Sequence, residues 1–401
     1  MPAQYNLRVA CVALIGAGLL ASTVYATPPA PPAASSRGED AAAIATADGT
    51  QAPVTAEPAN DPVLAFFRKI EFTGLVDTYY TYNFNKPVTG AMTPLRNFDV
   101  RHNQFSISLL ELAATRAATA DDRVGFRFDL QYGQLAQIFN ADPLDNNALA
   151  NVQQAYVSYL APVGSGLSID VGKFVTPVGF EPTESKDNFN YSRSFLYALG
   201  PYYHVGARAA YTLNDKVAVG GMFVNGWNAT GDPNAGKTLA GTVTYKPTSR
   251  ITLIENVVTG PEQTDNTSDV RTLWDTVVSW SVNDQISTGL NYDYARDAVA
   301  GEGVSWQGVA LYLRDQVTPQ FAVAPRFEVF ADSDGFTTGT AQHLKEFTLT
   351  AELKQAQGLL LRAEYRRDWS DAAYFVRADR PVRNQQTFTV ALIYGFSSKA
   401  Q

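Results

Sequence analysis

The chain has 401 residues and a net charge of −8, with only 17% charged residues against the quarter usual in globular domains. It holds 20 Tyr and 22 Phe, yet its mean hydropathy of −0.14 is too polar for a bundle of membrane helices. One cysteine and no basic stretch exclude a disulfide framework, a Cys-based metal centre and a nucleic-acid partner.

The N-terminus reads as a targeting segment. One basic residue, Arg8, precedes the 18-residue apolar run from Val9 to Ala26, and Val24-Tyr25-Ala26 has the small-residue pattern that signal peptidase recognises. Residues 1–26 are therefore expected to be a signal peptide, with the lone Cys11 inside it. Residues 27–62, rich in Pro and Ala with a net charge of −4, offer nothing from which to build a core. They read as a disordered periplasmic linker.

From residue 63 onward the chain carries −5 and shows no sustained helical period. Short stretches of period two recur instead, the signature of strands with one apolar and one polar face. Ile70, Phe72 and Val76 oppose Glu71, Thr73 and Asp77. Phe126, Phe128 and Leu130 oppose Arg127, Asp129 and Gln131. Val205, Ala207 and Ala209 oppose His204 and Arg208, while Phe327 and Val329 oppose Arg326 and Glu328. Phe347 and Leu349 oppose Glu346, Thr348 and Glu352; Leu361, Ala363 and Tyr365 oppose Arg362, Glu364 and Arg366. Weaker stretches near Phe105, Tyr156, Met222, Ile254, Trp280, Tyr292 and Tyr312 bring the count to about sixteen strands, within 14–18. That gives about 20 residues for each tilted spanning strand and its connection.

The connections alternate in length. Short ones fall at Asp121, Ala161, Leu213, Lys246, Asn283, Val317 and Gln355. Long polar ones are expected at Asn85–Asn97, Gly133–Asn151, Pro177–Tyr202, Ala229–Gly236, Gly260–Asp269, Arg296–Gly303, Asp332–His343 and Ser370–Asn384. Short periplasmic turns alternating with long outer loops are the rhythm of a transmembrane barrel. A spanning sheet must close, because an unpaired backbone group in hydrocarbon costs several kcal/mol. The reading is an all-β, antiparallel up-and-down β-barrel over residues 63–401, set in the outer membrane of a Gram-negative bacterium. The competing architectures are a large secreted β-sandwich, which has no reason to show that alternation, and a propeller, which calls for a blade-length repeat, and none is present.

The segment GKFVTPVGFEPTESKDNFNYSRSFLYALGPYYHVG (172–206), with VAVGGMFVNGWN after the next turn, resembles the OmpL-like family of outer-membrane β-barrel porins. FRFDLQYG from Phe126 and QAYVSYL from Gln154 fit the same pattern, so the similarity covers most of residues 72–396. The resemblance implies a pore-type protein. Its partners would be outer-membrane lipid and lipopolysaccharide, the barrel-assembly machinery and small polar solutes, and a homotrimer is left open.

Enzyme chemistry finds no purchase. Gly172-Lys173 lacks the upstream glycine and following Ser or Thr of a phosphate loop, and GxSxG and HExxH are absent. His102, His204 and His343 are too dispersed to suggest a metal centre, and no cofactor is implied. What remains is a charged lumen, lined by Asp77, Arg127, Asp129, Arg208, Arg326, Glu328, Glu346, Glu352, Arg362, Glu364 and Arg366. The longest loop, Pro177–Tyr202, follows the fifth strand, where similar sixteen-stranded general porins fold a loop inward. If that carries over, Glu181, Glu184, Lys186, Asp187 and Arg193 form the constriction; an outward surface loop is the alternative. The expected activity is passive diffusion, and the rival is a plugged structural or adhesive barrel.

The chain closes on FTVALIYGF, in which Phe388, Val390, Leu392, Tyr394 and Phe396 share one face. This stripe is expected to meet lipid and to resemble the C-terminal signal for membrane insertion. The SSKAQ that follows Phe396 departs from the usual aromatic end.

Overall fold

The computed structural model describes residues 62–88 and 92–399. The proposed signal peptide and all but the last residue of the proposed linker lie outside this range. Pro62 opens a short helix, α1 (Pro62–Arg68), suited to a proline in the first turn.

Sixteen antiparallel strands form one closed barrel, as the period-two pattern predicts. They are β1 (Glu71–Asn83), β2 (Gln104–Arg116), β3 (Val124–Tyr132), β4 (Val152–Ala161), β5 (Leu167–Val175), β6 (Tyr203–Asn214), β7 (Val217–Val224) and β8 (Thr238–Thr248). The second half comprises β9 (Ile251–Gln263), β10 (Asn266–Ser281), β11 (Ile286–Val299), β12 (Glu302–Asp315), β13 (Phe321–Asp332), β14 (Gln342–Lys354) and β15 (Leu359–Ser370). A small hairpin, β16 (Phe375–Arg377) with β17 (Arg380–Val382), occupies the last long loop, and β18 (Asn384–Ser397) closes the barrel against β1.

Closure is continuous along the seam, from Thr73 opposite Ser397 to Asn83 opposite Thr387. On β18 the stripe Phe388, Val390, Leu392, Tyr394 and Phe396 is 38–48% exposed, whereas Thr389, Ala391 and Ile393 are at most 2% exposed. The stripe therefore faces outward, toward lipid, and the intervening residues face the interior.

Two expected long loops are absent. Gly260–Asp269 and Arg296–Gly303 are mostly strand, joined by two-residue turns at Thr264–Asp265 and Ala300–Gly301, with Asp265, Ala300 and Gly301 at positive φ. A strand that rises beyond the membrane has water on both faces, so it loses its apolar stripe and reads as loop. The wall is accordingly low at β3–β5 (9–10 residues each) and tall at β9–β12 (13–16 residues). A second correction concerns helices: α2 (Gln134–Phe139) and α3 (Phe195–Leu199) lie within loops. At six and five residues they are too short to show a period.

Candidate functional site: the lumenal loop

The connection between β5 and β6 passes through the barrel interior. Between Glu181 and Ala198, all residues but Pro182, Lys186, Asp187 and Phe189 are buried. A loop so buried must satisfy its backbone from the wall, since orphaned amides are costly there. The inward-facing charges of the sequence supply those partners.

On the β9–β11 side, Asn256 donates to the Pro177 carbonyl at 3.0 Å. Asp275 accepts from the Gly179 amide at 3.1 Å, and Asn291 from the Phe180 amide at 3.0 Å. Packing here is tight, because the void between loop and wall is about 10 Å³, the scale of a single water.

Along β13–β15 the charges alternate in the partners they provide. Arg326 holds Glu181 at 2.8 Å and the Ser192 carbonyl at 2.6 Å, while its Nε donates to Glu346 at 2.6 Å. Glu328 accepts the Phe195 and Leu196 amides at 2.6 and 2.8 Å, and Ser194 Oγ accepts from Tyr197. These three bonds cap the first turn of α3, where free N–H groups and the helix dipole favour a carboxylate. Glu364 accepts the Tyr191 and Ser192 amides at 2.6 and 2.9 Å. Arg362 donates to the Ser185 and Asn188 carbonyls, each at 2.6 Å, and pairs with Glu352. Arg366 reaches the Arg193 carbonyl and pairs with Asp368 at 2.7 Å. Across the seam, Asp77 accepts from the Tyr191 hydroxyl at 2.9 Å and from the Ser185 hydroxyl.

The expected lumen-lining residues thus divide in two. Asp77, Arg326, Glu328, Glu346, Glu352, Arg362, Glu364 and Arg366 gather round the loop at 0–5% exposure rather than facing open water. Arg127 on β3 pairs with Asp129 at 2.8 Å, and Arg208 on β6 pairs with Asp170 at 2.8 Å, both outside the clamp.

The five loop residues named from the sequence also separate. Glu181 is clamped between Arg326 and the Ser194 amide. Arg193 turns back onto the Tyr191 and Thr183 carbonyls and lies over the Phe98 ring at 4.0 Å. Lys186 and Asp187 pair at 2.6 Å on the loop's lower tip and remain exposed. Glu184, beside them, is buried, and burial followed by the neighbouring Asp187 raises its carboxyl above the ordinary range. The sequence reading missed Asn256, Asp275, Asn291 and Asp368; their inward parity was the available signal.

Below the loop, at the end bearing the short turns, opens a cavity of about 1020 Å³. Glu111, Arg127, Glu184, Lys186, Asp187 and Arg314 are among its lining residues. On the wall away from the clamped face, β6 and β7 present small inward residues: Ala210, Thr212, Ala218 and Gly220, all of them accessible.

A family model described as "Putative beta-barrel porin-2, OmpL-like" matches residues 69–396. No curated protein sequence matches the chain. Among solved structures, an anion-selective porin from Comamonas acidovorans is similar, at 12% identity over 82% of this chain and 99% of that one, with a TM-score of 0.56. OmpT of Vibrio cholerae in its trimer form gives 11% identity, the same two coverages and 0.55. OmpF of Salmonella typhi, solved with daunomycin, gives 12% identity, 82% and 97% coverage, and 0.53. At such identities the likeness is one of fold.

Proposed function

The chain belongs to the OmpL-like β-barrel porin family of the bacterial outer membrane, and from that premise we propose that it is a narrow passive channel for small polar solutes, without enzymatic activity. The observation that supports this reading is the one-sided placement of the lumenal loop. It is fastened to β9–β11, β13–β15 and β1, which leaves the small residues of β6 and β7 in contact with water. A passage beside the loop would have Lys186 and Asp187 on one side and Arg127 and Arg208 among its neighbours. Charge on such a wall sets which solutes pass. The partners proposed are outer-membrane lipid and lipopolysaccharide on the apolar belt, and the barrel-assembly machinery acting on the Phe388–Phe396 stripe. A homotrimer is included because a relative of the same fold was solved in a trimer form.

A second reading, a closed structural or adhesive barrel, is favoured by one observation. At the outer end of β5–β7, Phe174, His204 and Val224 are fully sheltered, so an open path there requires loops 133–151 or 225–237 to move. Swelling of liposomes carrying the purified protein distinguishes the two. The channel reading predicts entry of pentoses and hexoses but not of a trisaccharide; no swelling with a pentose supports the sealed barrel.

A further inference from the structure

Two outer loops meet at the ends of β5 and β6: 133–151, between β3 and β4, and 225–237, between β7 and β8. Each is fastened to its own stretch of wall. Lys173 on β5 donates to Asn140 at 3.1 Å and to the Val152 carbonyl at 2.7 Å, which holds the first loop down. The second is held from β6 and β9, where the Tyr203 hydroxyl donates to the Asn228 carbonyl at 2.8 Å and Glu262 accepts the Trp227 amide at 2.7 Å. Lys173 Nζ also lies over the Tyr203 ring at 3.9 Å, so the two anchors stand side by side. Only two hydrogen bonds cross from loop to loop among the described residues, and one carboxylate receives both. Asp142 accepts the Thr230 amide at 2.6 Å and the Gly231 amide at 3.0 Å, each on Oδ2. Its Oδ1 accepts the Leu144 amide at 3.0 Å, which fixes the direction of the group.

We propose that Asp142 is the latch of a two-part lid over the outer mouth, and that the lid opens by parting along the seam between these loops. A fold opens locally where the fewest bonds must break. Here that line is the seam, because each half keeps its own ties to the wall when the two bonds to Asp142 are lost. Both amides then turn to water, which hydrogen-bonds them in place of the carboxylate. The sheltered residues at the outer end of β5–β7, Phe174, His204 and Val224, are the ones such an opening uncovers. Below them lie the small, accessible residues of β6 and β7. That the lid controls passage rests on the channel reading above; the parting of the seam does not.

The test uses the full chain with Cys11→Ser, so that introduced cysteines are the only thiols. A β-carbon at Gly231 would lie 3.6 Å from that of Asp145, within the span of about 3.5–4.5 Å that a disulfide bridges. Asp145→Cys with Gly231→Cys should therefore oxidise to a bond across the seam. In planar bilayers the oxidised pair should lose most of its conductance, and dithiothreitol should restore it. Failure of the pair to oxidise, or conductance undiminished by oxidation, would overturn the latch. A second readout needs no transport: the reaction of Val224→Cys, at a fully sheltered position, with a water-soluble maleimide. Asp142→Ala should speed that reaction roughly tenfold or more, the loss of two charge-assisted bonds, and an unchanged rate would overturn the proposal. The oxidised and reduced states belong to one folded protein, so their comparison decides even where Asp142→Ala does not fold. Conductance that ignores the disulfide would reject the latch and keep the channel. Faster labelling in a chain that never conducts would keep the latch and reject the channel.

Discussion

Arg326 on β13 and Glu181 in the lumenal loop lie 145 residues apart in sequence and meet at 2.8 Å, both sealed from solvent. Arg326 also takes the Ser192 carbonyl and Glu346, so one guanidinium ties two points of the loop to the wall. Breaking a buried pair by removing one partner costs about 3–5 kcal/mol, because the other charge stays behind uncompensated. Arg326→Met should therefore lower the unfolding temperature and release the loop. Adding Glu181→Gln should restore part of the loss, giving a non-additive cycle. Simple additivity would show that the pair does not act as a clamp.

The loop's acidic residues should separate by function. Asp187 is half exposed at the tip, whereas Glu181 is buried in the clamp. Asp187→Asn should shift the reversal potential in a salt gradient while leaving stability unchanged. Glu181→Gln should do the opposite, lowering stability first. The same change in selectivity from both would contradict this division.

Acidity should tighten the loop. Glu184 has a folded pKa raised by burial and then by Asp187, while Arg127 and Lys186 oppose the rise and Glu111 faces it from β2. A raised folded pKa contributes stability that is complete below the ordinary carboxyl value of about 4.3 and is lost as pH climbs through the folded value. Thermal unfolding in detergent should show the native chain losing ground to Glu184→Gln between pH 4 and pH 8. A constant gap between them would refute the assignment.

Barrel closure offers a separate test. Gly74 on β1 is paired with Phe396 on β18, and a β-carbon at Gly74 would overlap the Phe396 ring. Gly74→Val should therefore push the exposed Phe396 ring aside and lower the temperature at which the heat-modifiable folded band is lost on gels, without abolishing the band. Beyond Phe396, Ser397 pairs with Thr73, and Ser398 exchanges hydrogen bonds with Phe72 at 2.8 and 2.9 Å. Deleting Ser397–Gln401 removes only this end of the seam and should weaken the barrel mildly. Phe396→Asp puts a charge on the lipid face and should impair assembly severely. Equal damage from both would place the insertion signal in the tail.

Much of this architecture was legible in the sequence because a strand with lipid on one side and protein on the other must alternate. Phe388 to Phe396 carries that rule openly, and the inward parity of Arg326, Arg362 and Arg366 follows from it. Where the rule lapses the reading failed, as in Gly260–Asp269 and Arg296–Gly303, which rise into water as strands with no apolar face. Phe195–Leu199 forms a helix capped by Ser194 beside it and by Glu328 far along the chain; at five residues it shows no period, and the distant carboxylate has no local signal. Nor does parity distinguish a charge that lines water from one that binds a loop. Arg362 and Arg127 look alike in sequence, yet one grips the Ser185 and Asn188 carbonyls while the other borders the cavity.

Single-channel recording in planar bilayers tests the central claim most directly, comparing the native chain with Arg326→Met and Arg362→Met. A passage beside the clamped loop gives small, uniform conductance steps for the native barrel and larger or noisier steps once the loop is unclamped. A silent native chain that stays silent in both variants would contradict it.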